Sequence, residues 1–206
     1  MNEIGQRLAS CTLERYEKEF ADRHLVHGAI EKWARETPDA IALAVVDTEA
    51  EFTYQQFDQL ATSYALKLLD LGYRPGDFLA THLPLLAEHI FLEYACFKIG
   101  VIHAPLDLRL KGPEVVRSLQ LIEAKGFVGL GGEQHAAFAD IACDVQQECP
   151  FVENLIQFAP ADETVEGGSA FEDFANEAQA LVAVEEPDRR AAALQRTYEE
   201  IHGKVA

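Results

Sequence analysis

Two hydrophobic patterns alternate through the middle of the chain. An uninterrupted apolar run at residues 41–46 predicts a strand, and its length and polar flanks predict that this strand is buried. Residues 78–83 predict a second strand. Between such runs, apolar residues recur at every third or fourth position, as in residues 57–71, which predicts amphipathic helices. Further strands are predicted at 101–104, 127–130 and 155–158, and further helices at 25–36, 86–99, 111–124 and 170–180. This alternation predicts an α/β fold with a mostly parallel sheet flanked by helices.

Residues with special backbone chemistry mark the ends of these elements. Thr53 and Gln56 have the spacing of a capping box, so we predict that a helix begins after Thr53. Gly72 and Gly100 stand where two helices should end, and glycine readily takes the left-handed C-terminal cap. The sequence Pro75-Gly76 predicts a turn before the next strand.

The pattern divides the chain into three parts. Residues 1–24 are charged and helix-favouring, which predicts an N-terminal helical extension. Residues 25–160 carry the alternating α/β pattern. Residues 161–206 are predicted to form an acidic loop and a helical segment, which is highly charged over 185–202.

The charge of the chain excludes two classes of partner. The 206 residues include 17 Lys and Arg against 35 Asp and Glu, a formal net charge of −18, and 49% of the residues are hydrophobic. That hydrophobic content is typical of a folded protein. A strongly negative surface repels phosphate backbones and anionic lipid, so we expect neither nucleic-acid nor membrane-surface binding.

Cysteine usage and hydropathy predict a cytoplasmic protein. Cys11, Cys96, Cys143 and Cys149 are scattered through a chain too large to need disulfide staples, so we expect free thiols in a reducing compartment. No apolar run approaches the roughly 20 residues needed to span a bilayer, which predicts no transmembrane segment.

The sequence contains no complete phosphate-binding motif and no nucleophile motif. Residues 129–132 resemble the start of a dinucleotide-binding turn, but Gln134 stands where the third glycine belongs, so a strand-to-helix turn is favoured. Neither a GxxxxGK[ST] loop nor a GxSxG elbow is present in the sequence.

The histidines do not have the spacing of metal ligands. His24 and His27 could share a helix face but lack further ligands nearby, which predicts partly exposed helix residues. His82 and His103 lie in apolar strand contexts near the strand ends. We predict hydrogen-bonded core or rim histidines there, with a catalytic base as the alternative. We assign no catalytic residue and no metal ligand.

A set of ordered residues across the central segment resembles a known family. The set begins with Phe52-Thr53-Tyr54 and continues through the sequence at 71–77. Its later members are Leu83-Pro84, Glu88, Ala95, Lys98, Gly100, Pro105-Leu106 and Arg109. In order and spacing it resembles the N-terminal region of the AMP-forming acyl-activating synthetases, the family of AMP-dependent synthetases and acyl-CoA ligases. The resemblance covers roughly residues 25–160 and implies the N-terminal α/β subdomain of the acyl-CoA synthetase-like fold.

The resemblance implies a function for the intact enzyme. Members of this family activate a fatty or aromatic carboxylic acid with ATP and magnesium to an acyl-adenylate, and then form a thioester with CoA. The Thr/Ser/Gly-rich loop that holds the ATP phosphates and the lysine of the lid domain have no counterpart in this sequence. Residues 161–206 are expected to lead toward that loop. We therefore predict that the isolated chain binds none of these cofactors and does not catalyse adenylation.

One pair of residues is implied to contact CoA. Arg109 matches the arginine that lies near the CoA nucleotide in some family members, and Lys111 could assist it. A guanidinium suits phosphate because its planar donors bind two oxygens at once. The alternative is a solvent-facing arginine at a helix start. Leu85 also departs from the family, which commonly has asparagine at this position.

Alternatives of other classes remain open. The chain could be a stand-alone interaction module, half of a split ligase, or part of a peptide-synthetase adenylation domain. For all of these the expected partner is the remainder of the ligase or a second copy, covering a face that would otherwise be exposed and apolar.

Overall fold

The computed structural model describes residues 25–184. The helices are α1 (Val26–Glu36), α2 (Tyr54–Asp70), α3 (Ala87–Ile99), α4 (Gly112–Ile122), α5 (Ala136–Glu148) and α6 (Phe171–Val184). The strands are β1 (Ile41–Val45), β2 (Ala50–Thr53), β3 (Phe78–His82), β4 (Ile102–Pro105), β5 (Gly126–Leu130), β6 (Asn154–Phe158) and β7 (Ser169–Ala170). The helical extension expected over residues 1–24 and the charged helical segment expected over residues 185–202 lie outside the described range.

The main sheet is parallel and has helices on both faces. Its strand order is β4-β3-β5-β6-β7, and all four neighbouring pairs are parallel. Successive residues of β3 point to opposite faces. Leu79 belongs to the core formed with α2, α3 and α6, and Ala80 belongs to the core formed with α4 and α5. The predicted α/β fold is confirmed.

The first strand was predicted wrongly as a buried one. β1 instead pairs antiparallel with β2 in a separate two-stranded hairpin. Ile41 is 50% exposed and the neighbouring Val46 is 90% exposed. Because an uninterrupted apolar run reports only the composition of a strand, it did not show that this one would lie outside the main sheet.

Local capping chemistry forms as expected. Thr53 Oγ1 accepts from the backbone N–H of Gln56 at 3.2 Å, and the Gln56 side chain accepts from the backbone N–H of Thr53 at 2.9 Å. Gly72 and Gly100 take φ values of +84° and +70°, in the left-handed region. The capping box fixes the start of α2, and the two glycines end α2 and α3.

Lys98 joins the first three helices. The ammonium of this α3 residue lies 2.6 Å from Glu31 Oε1 of α1 and 2.9 Å from Asp58 Oδ1 of α2. Its side chain is only 4% exposed, whereas both carboxylates keep some contact with solvent. One buried cation therefore holds three helices on the same face of the sheet.

The segment after residue 160 packs onto the same core. The two-residue strand β7, which the sequence analysis missed, adds to β6, and α6 then crosses α2. Phe171, Phe174 and Ala178 of α6 are buried in the core beside Tyr64. The contact forms because α6 presents these apolar residues at helical spacing.

Three cysteines lie within residues 25–184. Cys96, Cys143 and Cys149 are free, and Cys96 and Cys149 are buried. No helix within residues 25–184 is long and apolar enough to cross a membrane.

Candidate functional site at the carboxyl edge of the sheet

The strand order places a crevice at one edge of the sheet. From β3 the chain passes to β4 on one side, and from β4 it returns across β3 to β5 on the other side. Ligands of open α/β sheets bind outside the carboxyl ends of the strands at such a switch point. The loops that follow β3, β4 and β5 are therefore the candidate site.

Arg109 lies in the loop after β4 and is already paired. Its guanidinium Nε lies 2.9 Å from Asp107 Oδ1, and its Nη2 lies 2.5 Å from Asp107 Oδ2. The Arg109 side chain is 89% exposed. Hydrogen bonds from Arg109 lower the pKa of Asp107 to about 2. A ligand phosphate would have to displace this carboxylate to gain the same bidentate contact.

Lys111 lies at the end of the same loop and begins α4. Its backbone N–H donates to Glu114 Oε2 at 2.9 Å, and its side chain is exposed. Among residues 25–184 no carboxylate pairs with the Lys111 ammonium. The structure thus places both predicted cations in one exposed loop at the carboxyl edge, where the Lys111 ammonium is open to an anion and the Arg109 guanidinium is paired with Asp107.

A buried network that the sequence analysis did not predict lies beneath the loop after β3. Thr81 Oγ1 lies 2.9 Å from Nε2 of His89 and 2.9 Å from Nε2 of His103. His89 Nδ1 lies 3.0 Å from the carbonyl oxygen of Pro84. The network joins β3, α3 and β4 to the backbone of the loop.

The hydrogen-bond directions in this network follow from its chemistry. The Pro84 carbonyl only accepts, so His89 Nδ1 donates to it, and the Nε2 of a neutral His89 must accept from the Thr81 hydroxyl. Thr81 Oγ1 then accepts from Nε2 of His103. With both imidazoles neutral, His89 carries its proton on Nδ1 and His103 carries its proton on Nε2.

Burial and the neighbouring His89 lower the pKa of His103 to about 4. Glu93 Oε1 lies 3.6 Å from His103 Nδ1, but this partly exposed carboxylate does not offset the burial. His82, on the opposite face of β3, lies 3.1 Å from the Asp107 carbonyl oxygen, and burial lowers its pKa too. Both residues are hydrogen-bonded core histidines, as expected.

The remaining loop of the edge is also filled from within. Gly132 has φ +78° and precedes a 3-10 helix, Glu133–His135, that leads into α5. The Glu133 backbone N–H donates to Glu163 Oε2 at 2.7 Å, which ties the acidic segment to this turn. The 129–132 sequence is therefore a strand-to-helix turn, as predicted.

Comparison with known proteins identifies the family. A family model described as AMP-binding enzyme matches residues 30–196. The chain belongs to the AMP-binding enzyme family. The match covers the whole candidate site, including the loop that carries Arg109.

Two of the proteins similar to this chain are CoA ligases. A propionate–CoA ligase of Escherichia coli K12 is 35% identical over 85 residues, which are 39% of this chain and 14% of the ligase. A medium-chain fatty-acid–CoA ligase of the same bacterium is 32% identical over 132 residues, 62% of this chain and 23% of the ligase. The chain therefore spans less than a quarter of the length of either relative.

Solved structures share the fold. The N-terminal domain of FACL13 from Mycobacterium tuberculosis matches with a TM-score of 0.62 and 24% identity, over 74% of this chain and 35% of that chain. Coronafacic acid ligase from Pectobacterium brasiliense matches with a TM-score of 0.65 and 19% identity, over 74% and 29% of the two chains. At this level of identity the likeness shows the fold alone.

Two residues differ from what the sequence analysis predicted, one in α1 and one in the loop after β4. His27 is buried, not partly exposed, and its Nε2 lies 4.0 Å from Glu31 Oε1. The sequence analysis did not predict that Asp107 pairs with Arg109, although an acid two residues before an arginine in a loop indicates such a pair. Within residues 25–184 no cluster of three His, Cys, Asp or Glu residues could hold a metal ion.

Proposed function

We propose that this chain is the N-terminal portion of an ATP-dependent, AMP-forming carboxylic acid:CoA ligase. The observation that carries the proposal is the family match over residues 30–196 together with the parallel sheet that this region forms. The reaction proposed for the intact enzyme is activation of a fatty or aromatic acid as an acyl-adenylate, followed by transfer to CoA. The free thiols of the described range support a cytoplasmic location.

ATP and magnesium find no fitting site in the described residues. Phosphoryl chemistry needs a cation, oriented backbone donors and a metal held by oxygen ligands. The Gly131-Gly132 turn is filled by the Glu163 carboxylate, and the described range holds no metal cluster. These residues therefore offer no site for ATP at this edge, and we propose that this chain does not adenylate a carboxylic acid by itself.

The 206-residue chain should give no carboxylate-dependent exchange of pyrophosphate into ATP. The reason is that the groups that would stabilise phosphate charge are not among those described above. The assay uses labelled pyrophosphate with propionate, octanoate and salicylate in turn. Exchange above the level seen without a carboxylate would overturn the proposed incompetence.

CoA, in contrast, fits the loop after β4. Arg109 and Lys111 are exposed cations at the carboxyl edge, and the geometry that Arg109 shows toward Asp107 is the one it would use on a phosphate. We propose that these residues bind the phosphates of CoA in the intact enzyme. Binding would exchange the Asp107 carboxylate for a phosphate on the same guanidinium.

In the intact enzyme, Arg109→Ala should raise the KM for CoA by about tenfold and leave the adenylation half-reaction unchanged. The size follows from losing one charge-assisted bidentate contact, worth about 1.5–3 kcal/mol before competition with Asp107. Steady-state kinetics with varied CoA, alongside pyrophosphate exchange, measure the two half-reactions separately. Asp107→Asn is the matched variant, because it frees Arg109 and should lower the KM for CoA. Equal losses in both half-reactions for Arg109→Ala would assign Arg109 a structural role.

A second candidate is a protein that works through a partner, such as half of a split ligase. The exposed apolar side chains of the β1–β2 hairpin and of Leu85, which is 84% exposed, favour it. Under this proposal, the remainder of the ligase or a second copy covers these residues. Copurification of this chain with a polypeptide that carries the phosphate loop distinguishes a split ligase from a continuous one.

A further inference from the structure

A cleft at the carboxyl end of β6 has the composition of a ligand pocket. It opens between α2, α3, the end of β6 and α6, and its volume is about 620 Å³. Pockets for small molecules in proteins commonly have about 300–1,000 Å³ and mainly apolar walls. The volume and the walls therefore suit one small organic molecule.

Five of the twelve residues that line this cleft are aromatic. Phe158 stacks on Phe171 with ring centroids 4.0 Å apart, and Tyr64 meets Phe171 edge to face at 5.7 Å. Phe52 and Phe91 form a further edge-to-face pair at 5.0 Å. The face of an aromatic ring is negative, so a ring face that borders the cleft would attract a cation.

The polar side chains of the cleft are two carboxylates, the neutral amide of Gln179 and the hydroxyl of Tyr64. Glu88 of α3 and Glu172 of α6 line it, and no cationic side chain within residues 25–184 pairs with either carboxylate. Tyr64 is 3% exposed, and no described residue hydrogen-bonds to its hydroxyl. Burial and the Glu88 charge raise the pKa of Tyr64, so this hydroxyl stays protonated beside that carboxylate.

We propose that this cleft binds a small organic cation, an ammonium group carried on an apolar body. Charge complementarity with Glu88 and Glu172 and the aromatic walls both favour a positive ligand. The same charges repel carboxylates, ATP and CoA, which are all anions. The cleft is therefore separate in chemistry from the sites proposed for the ligase reaction, and it does not depend on that proposal.

The test uses three probes of similar size on the whole 206-residue chain. Benzyltrimethylammonium is the cation, benzyl alcohol the neutral compound and benzoate the anion. NMR titration follows the side-chain signals of Tyr64 and Phe171. We expect the cation to bind about tenfold more tightly than benzyl alcohol, because ring and carboxylate contacts together supply about 1.4 kcal/mol. Benzoate should bind more weakly than either.

Matched variants locate the charge that matters. Glu88→Gln and Glu172→Gln each keep the shape of the side chain and should weaken binding of the cation by about threefold. Asp173→Asn removes the same charge from the adjacent residue of α6, outside the cleft, and should leave the affinity unchanged. Equal binding of the three probes, absence of any shift with the cation, or an equal loss with Asp173→Asn would overturn the proposal.

Discussion

Replacing Lys98 with alanine is expected to lower the free energy of unfolding by about 3 kcal/mol. The ammonium of Lys98 lies 2.6 Å from Glu31 and 2.9 Å from Asp58, and the side chain is almost fully buried. Removing it leaves two neighbouring carboxylates without a cation and also removes the packing of the lysine stem. Urea unfolding followed by circular dichroism measures the change.

Two variants separate the origin of this loss. Lys98→Met keeps most of the stem. The stability that Lys98→Met retains relative to Lys98→Ala measures the packing of the stem, and the loss that remains relative to the wild-type protein measures the ion pairs. Lys32→Ala removes an i,i+4 pair with Glu36 at 3.7 Å near the surface, and it should cost no more than about 0.5 kcal/mol. The role assigned to Lys98 fails if Lys98→Ala unfolds with the same free energy as Lys32→Ala.

The stability of the protein should fall with acid because of His103. The pKa of this residue is about 4 in the folded state, compared with about 6.5 in an unfolded chain. Between these values the unfolded state binds more protons than the folded state, so stability is lost as the pH falls from about 6.5 toward 4. The shift corresponds to about 3 kcal/mol over that window.

His103→Gln isolates this contribution. The glutamine amide can still donate to Thr81, but it does not titrate. The difference in unfolding free energy between the wild-type protein and His103→Gln should therefore change by about 3 kcal/mol between pH 7 and pH 4. A difference that stays constant between pH 7 and pH 4 would contradict the burial of His103.

Local signals predicted the helices well. The capping box at Thr53 and Gln56 and the positive φ values at Gly72 and Gly100 involve residues close together in sequence, so the sequence contains the whole interaction. The sheet membership of β1 depends on partners distant in sequence. The same apolar run fits either a central strand or a hairpin, which is why burial was predicted wrongly there.

The site was predictable in part. The resemblance implies Arg109 and Lys111 as CoA ligands, and that role stays a prediction. The structure places both residues in the loop after β4. The Thr81–His89–His103 network could not be found, because residues from β3, α3 and β4 meet only after the sheet has formed. The aromatic cleft likewise requires α6 to pack across α2, and the weak pattern beyond residue 131 did not predict that contact.

The measurement that most directly tests the ligase account is the sequence of the coding DNA beyond the codon for Ala206. The account predicts that the reading frame continues and encodes a further strand and a Thr/Ser/Gly-rich phosphate loop with a lysine. The same result would make the function of this chain that of the intact enzyme. A stop codon directly after Ala206 would contradict the continuous ligase, and the nucleotide site would then have to be sought on a separate partner polypeptide.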